Sequence, residues 1–182
     1  MTPLLTPRLR LRRWEPRDAV PFAALNADPE VMRHFPAPLD RAASDALVER
    51  LERAWSAAGI GFAAVERRSD GVLIGMVGLN RLALPEIGPP QDGALEVGWR
   101  LARAHWGQGY ATEAARAWID HGFATFPDDE IAAIIVPANL ASQAVARRLG
   151  MRPQPSLGFE HPRIPEGHHL RRHLFFTLPR RA

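Results

Sequence analysis

Apolar residues recur along this chain in two alternating rhythms, one of period two and one near 3.6. Over Arg8–Trp14, Leu9 and Leu11 alternate with Arg8, Arg10 and Arg12, the pattern of a half-buried strand. Pro16 suits a first helical turn, and Asp18–Asn26 carries Val20, Phe22, Ala23 and Leu25 at helical spacing. Asp28, followed by Pro29, is expected to cap a short helix running through Phe35. A longer helix over 41–58 lines up Leu47, Leu51 and Trp55, and Gly59 and Gly61 end it.

Two apolar segments, Phe62–Arg67 and Val72–Leu79, flank Arg68-Ser69-Asp70-Gly71, whose Asp-Gly pair predicts a hairpin. Leu84–Gly93, rich in proline and glycine, reads as a loop. In the strand Ala94–Leu101, Leu95, Val97, Trp99 and Leu101 share one face, and Glu96, Gly98 and Arg100 the other. A glycine-rich turn then opens a helix over 109–126 with Ala111, Ala115, Trp118, Ile119, Gly122 and Phe123 turned inward. Ile131–Val136 reads as a buried strand, Asn139–Leu149 as a helix closed by Gly150, and His168–Leu178 as a final strand. No repeat or linker interrupts this order, so one domain over 1–182 is expected.

Composition narrows the field. A chain of 182 residues that is 46% hydrophobic and 24% charged can build a packed core. It has no apolar run of membrane-spanning length, and its first thirteen residues lack a signal-peptide core, so a cytoplasmic protein without a membrane partner is expected. With no cysteine, disulfides, thiolate zinc sites and cysteine nucleophiles are excluded. All 23 basic side chains are arginine, which excludes lysine Schiff bases and Walker-type phosphate loops. The net charge is only +3, with no basic tail or aromatic–arginine stripe, so nucleic acid is not an expected partner.

The stretch Arg103–Ala114 runs strand, turn, helix. Small residues at Gly107, Gly109 and Ala111 let successive amides converge at the positive end of a helix, a cradle for a phosphate or diphosphate. A Rossmann reading is disfavoured, because Asp128, Asp129 and Glu130 precede the following strand instead of ending it. A second cluster, Asn139-x-x-Ser142 with Leu149-Gly150-Met151, follows.

Together these pieces resemble the GNAT superfamily of acyl-CoA-dependent N-acetyltransferases, in particular the branch of the ribosomal-protein N-terminal acetyltransferases. Thr6–Arg12, Asp28–Met32, Glu96–Trp99, Trp106–Ala114, Asn139-x-x-Ser142 and Leu149–Met151 fall in the expected order. The resemblance implies an α/β (α+β) acyl-CoA N-acyltransferase fold: a mixed, largely antiparallel sheet, splayed near the Ala94 and Ile131 strands and flanked by helices. It implies acetyl-CoA as cosubstrate and a primary amine, on a protein N-terminus or a small molecule, as acceptor. Gly107, Gln108, Gly109, Tyr110, Ala111 and Thr112 would hold the diphosphate through backbone amides, with Trp106 where glutamine or arginine is usual. Trp99 to Leu101 would run beside the pantetheine arm, and Asn139 would bond the pantetheine or acetyl region. Arg147 or Arg148 could face the 3′-phosphate. Such relatives are commonly homodimers.

The chemistry needs a neutral amine, a polarised carbonyl and a proton for the departing thiolate. Without cysteine, direct attack in a ternary complex is expected over an acyl-enzyme, with an N–H near Trp99–Leu101 polarising the carbonyl. Many relatives carry a tyrosine seven residues after the asparagine, where this chain has Ala146, which leaves Ser142 as the proton donor. Glu96, a histidine from His161–His169 or His173, or water alone could serve as base; metal binding is not expected. Tyr110 reads as packing. A CoA-binding regulatory or degenerate domain without turnover is the alternative.

Overall fold

The computed structural model describes residues 2–180; Met1, Arg181 and Ala182 of the expected 1–182 domain lie outside the described residues. Its strands are β1 (Leu4–Leu5), β2 (Leu9–Arg12), β3 (Phe62–Arg67), β4 (Leu73–Arg81), β5 (Leu95–Leu101), β6 (Glu130–Ile135), β7 (Arg152–Pro153), β8 (Phe159–Glu160) and β9 (Arg172–Pro179). The helices are α1 (Ala19–Ala27), α2 (Pro29–Met32), α3 (Arg41–Ala58), α4 (Tyr110–Thr125) and α5 (Leu140–Leu149). The sheet order is β1-β2-β3-β4-β5-β6-β9-β7, with β8 beside β9. Every neighbouring pair is antiparallel except β5 and β6, which meet in parallel at the single pair Glu96↔Ala132.

Strand alternation sorts the side chains into two layers. Leu9, Leu11, Val77, Leu79, Leu95 and Val97 form the main core with Ala115, Trp118 and Ile119 of α4 and Ala146 and Leu149 of α5. Gly122 lets α4 sit close to the sheet, since a Cβ there would come within 2.7 Å of Leu79 Cδ1. The opposite face carries Ala64 and Met76 under Phe22, Leu25 and Val31, with Leu47, Val48 and Leu51 of α3 packed alongside. The helices are stopped where local chemistry demands: Asp28 accepts from the Glu30 amide, Asp40 from the Ala43 amide, and Gly59 and Gly150 close α3 and α5 in left-handed conformations.

Two boundaries move by three residues or more from the pattern-based expectation, and the short strands β1, β7 and β8 have no expected counterpart. The short helix ends at Met32 instead of Phe35, because the Phe35 amide turns back to the Met32 carbonyl. The last strand begins at Arg172 instead of His168, because the Arg171 amide bonds to the His168 carbonyl and the His168 amide to that of Pro165, making a turn.

The start of the chain is held by a buried ion network. Arg12 grips both oxygens of Asp18 (2.6 and 2.8 Å) and donates through Nε to Glu66 (2.9 Å), and all three side chains are nearly inaccessible. Removing one partner strands the others without water, so Asp18→Ala should cost about 3–5 kcal/mol in urea unfolding. A loss below about 1 kcal/mol, the range of exposed pairs, would show the network to be dispensable.

Candidate active site

Past the Glu96↔Ala132 pair, β5 and β6 diverge, so the β5 edge beyond that rung has no strand partner. The Ala102 amide bonds to the Ile74 carbonyl at 2.9 Å, which sets the alternation along β5. Even-numbered residues turn their backbone groups to β4, and Trp99 and Leu101 turn theirs into the gap. The Leu101 carbonyl is taken on that side by the Trp106 indole N–H (2.8 Å), leaving the amides of Trp99 and Leu101. Trp106 therefore ties the turn to the end of β5 through its ring.

The turn heads α4. Gly107 (φ +72°) and Gly109 (φ +80°) both lie in the left-handed region, where a β-carbon is strained. No amide from Gly107 to Thr112 finds a backbone or side-chain acceptor among the described residues. These donors, added to the α4 dipole, make a seat for an anion. The Gln108 side chain bonds back to the Ala104 carbonyl, and Tyr110 is buried, so both serve the seat through their backbones.

The seat is clamped from the far end of the chain, which pattern reading missed. Arg8 donates to the Gln108 carbonyl (2.9 Å) and to Glu113 (2.6 Å), and its guanidinium lies 4.4 Å from the Tyr110 ring centre. Thr6 Oγ1 donates to the same Glu113 carboxylate at 2.6 Å. Glu113 is held below the usual carboxylate range by these bonds from Thr6 and Arg8, against the effect of burial. The only signal in sequence was the Thr6–Arg12 block itself.

On the α5 side, Asn139 caps the helix by accepting the Ser142 amide (3.0 Å), which commits its Oδ1 and leaves its NH2 group. Ser142 Oγ accepts the Trp99 indole N–H (3.2 Å), so the hydroxyl proton is free to be donated. Ala146, at the position of the missing tyrosine, is fully buried. Arg147 folds back onto Gln143 (3.1 Å) and Phe176, whereas Arg148 is exposed.

Glu96 stands at the last rung, on the opposite face from Trp99. Burial pushes its carboxyl up to about 8, opposed by the Ile134 amide. That amide belongs to the part of β6 that has lost its β5 partner. The histidines gather elsewhere: His161 and His173 pack with each other and with Phe159, at 5.1 and 5.7 Å, and burial lowers both. His34, at the end of α2, is lowered by burial, by Arg33 and by the approach of His169. No group of three metal-ligating side chains occurs among the described residues, and no described helix is long and apolar enough to cross a membrane.

Residues 8–152 match the family model of the acetyltransferase (GNAT) domain. The uncharacterized protein YkkB of Bacillus subtilis is 37% identical over 151 residues, covering 82% of this chain and 85% of that protein. An acetyltransferase from Agrobacterium tumefaciens superposes with a TM-score of 0.78 at 26% identity, covering 99% of this chain and 95% of that one. RimL, a ribosomal L7/L12 alpha-N-protein acetyltransferase solved with coenzyme A, shares the fold with a TM-score of 0.77 at 14% identity and 97% coverage of each chain.

If the seat acts through its backbone, Gly109→Ala should weaken coenzyme A binding by about tenfold, because the left-handed conformation costs a side chain roughly 1–2 kcal/mol. Titration calorimetry reads this directly, and unchanged affinity would remove the turn from the binding site.

Proposed function

Because the chain belongs to the GNAT acetyltransferase family, we propose that it is one acetyltransferase domain that moves the acetyl group of acetyl-CoA onto a primary amine by direct attack within a ternary complex. The single-rung junction of β5 and β6 carries this reading: it opens a slot in the sheet beside the anion seat at the head of α4. The diphosphate takes the amides of Gly107 to Thr112. The pantetheine arm takes the vacant β5 edge at Trp99 and Leu101, with the Asn139 amide group beside it. An extended arm laid along an unpaired strand edge gains hydrogen bonds that β6 does not supply.

Amine and leaving group are served from opposite faces of the sheet. Glu96 takes a proton from the bound ammonium, directly or through water, to give the neutral amine that attacks, and its raised affinity for protons suits a base working near neutral pH. The acyl carbonyl is polarised by a free amide at Trp99 or Leu101. The C–N bond forms as the C–S bond breaks, and Ser142, its oxygen held by the Trp99 indole, hands its proton to the thiolate and recovers one through water from the nitrogen of the collapsing adduct. The absence of cysteine supports attack on the thioester itself over a relayed acyl group.

Glu96 must be ionised to act, so kcat/KM should rise with pH through an inflection near 8 that stays in place when acceptors of different pKa are compared. In Glu96→Gln that limb should vanish and the rate fall about 100-fold. Since the folded carboxyl binds its proton more tightly than the unfolded one, the wild type loses stability as pH rises from the ordinary carboxylate range through 8. Glu96→Gln should therefore melt higher than wild type above that pH, and equal melting there would refute the burial argument. Ser142→Ala should lower kcat by about 10–100-fold with little change in the KM for acetyl-CoA. Binding of acetyl-CoA without thiol release across a broad panel of amines would instead identify a domain that does not turn over.

A further inference from the structure

Arg100 lies on the Glu96–Gly98–Arg100 face of β5, four residues beyond Glu96. Its register partner is Met76, on the face covered by α1 and α3. Its guanidinium rests 4.0 Å from the centre of the Phe35 ring, in the segment between α2 and α3. Nη1 donates to Asn26 Oδ1 at 2.7 Å, and Asn26, fully buried, is itself fixed by donating to the equally buried Ser44 Oγ at 2.9 Å. One end of the guanidinium is thus held by a prebuilt neutral bracket.

The other edge is unused. Nε is sealed from solvent with no partner, and Nη2 makes no hydrogen bond among the described residues. Arg12, Arg13, Arg67 and Arg81 each meet a carboxylate, whereas Arg100 pairs with none among the described residues. Burial alone lowers its proton affinity, to about 10, so it remains a cation at neutral pH. A cation withdrawn from water without a counter-charge is costly, and an amide bracket does not neutralise it. The Nε–Nη2 edge is the one through which Arg13 holds Glu52 and Arg67 holds Asp70 in this same molecule. It is the edge that binds planar anions in a fork.

Gly98 lies between the carboxylate and the cation with the Phe62 ring packed against it, so close that a Cβ there would come within 2.8 Å of that ring. Along a strand, four residues span about 13 Å, within which two side chains can reach both ends of one small molecule.

We propose that Arg100 is an acceptor-specificity residue, and that the amine acetylated by this protein carries an anionic group, a carboxylate or a phosphate, which pairs with the buried, unpartnered Nε–Nη2 edge while its amino group faces Glu96. Asn26 is the positioning residue that aims the guanidinium. This rests on the proposed transfer to an amine and deepens it by giving the acceptor a second, charged handle.

The test uses matched amines on the intact protein: amino acids of graded length, their carboxamides, and the corresponding aminoalkyl phosphates. Wild type should prefer the acids or the phosphates to the neutral amides by at least about tenfold in kcat/KM, and the better series identifies the anion. Arg100→Gln should erase the preference and leave the KM for acetyl-CoA unchanged, while Arg100→Lys, which keeps charge without the fork, should retain only part of it. Heat stabilisation by the same compounds in the presence of coenzyme A gives a readout that needs no turnover. Stabilisation by the anionic amines that disappears in Arg100→Gln supports the anion site even if no amine is acetylated, in which case the transfer reading alone fails. Equal use of amides and acids by wild type, or a preference that survives in Arg100→Gln, overturns the proposal.

Discussion

One hydrogen-bonded rung governs this molecule. A strand joined to its parallel neighbour at Glu96↔Ala132 and nowhere beyond leaves backbone groups that must find other partners. The protein satisfies one of them itself: the Trp106 indole takes the Leu101 carbonyl. The rest face the gap. At that rung Glu96 is withdrawn from water, and this burial raises its hold on a proton.

The two layers that cover the sheet divide the labour. The α4–α5 layer contributes uncommitted amides, a capped helix start and a serine whose oxygen is already engaged. The face of β5 turned toward the α1–α3 layer contributes a carboxylate, a glycine and a cation. On the proposed function the coenzyme would be held mostly by backbone, which is indifferent to many substitutions. On the same proposal the acceptor would meet side chains such as Arg100, so specificity can vary while the coenzyme seat stays the same.

Periodicity made the element order readable, and the alternation in Ala94–Leu101 already separated the Trp99 face from the Glu96 face. The small residues at 107, 109 and 111 marked the turn, because positive φ and close backbone approach leave a compositional trace. What periodicity could not carry were contacts between distant segments. Arg8 reaches Glu113, and Arg100 reaches Asn26, across stretches that no local pattern links. The start of the last strand was misplaced for a local reason: His168–Arg171 alternates plausibly, yet Pro165 and Gly167 bend it into a turn. Sequence alone points Asn139 toward the coenzyme, whereas its oxygen first serves the helix that begins after it.

The clamp of Arg8 and Thr6 on Glu113 joins positions 105 and 107 residues apart. Closing so long a loop is slow, so the head of α4 acquires its final shape only after the opening strand has docked. On the proposed function, coenzyme A bound at this seat would select chains whose first and middle segments have already met. Its binding energy is then added to the cohesion of the whole assembly by mass action, making ligand occupancy a late checkpoint of maturation.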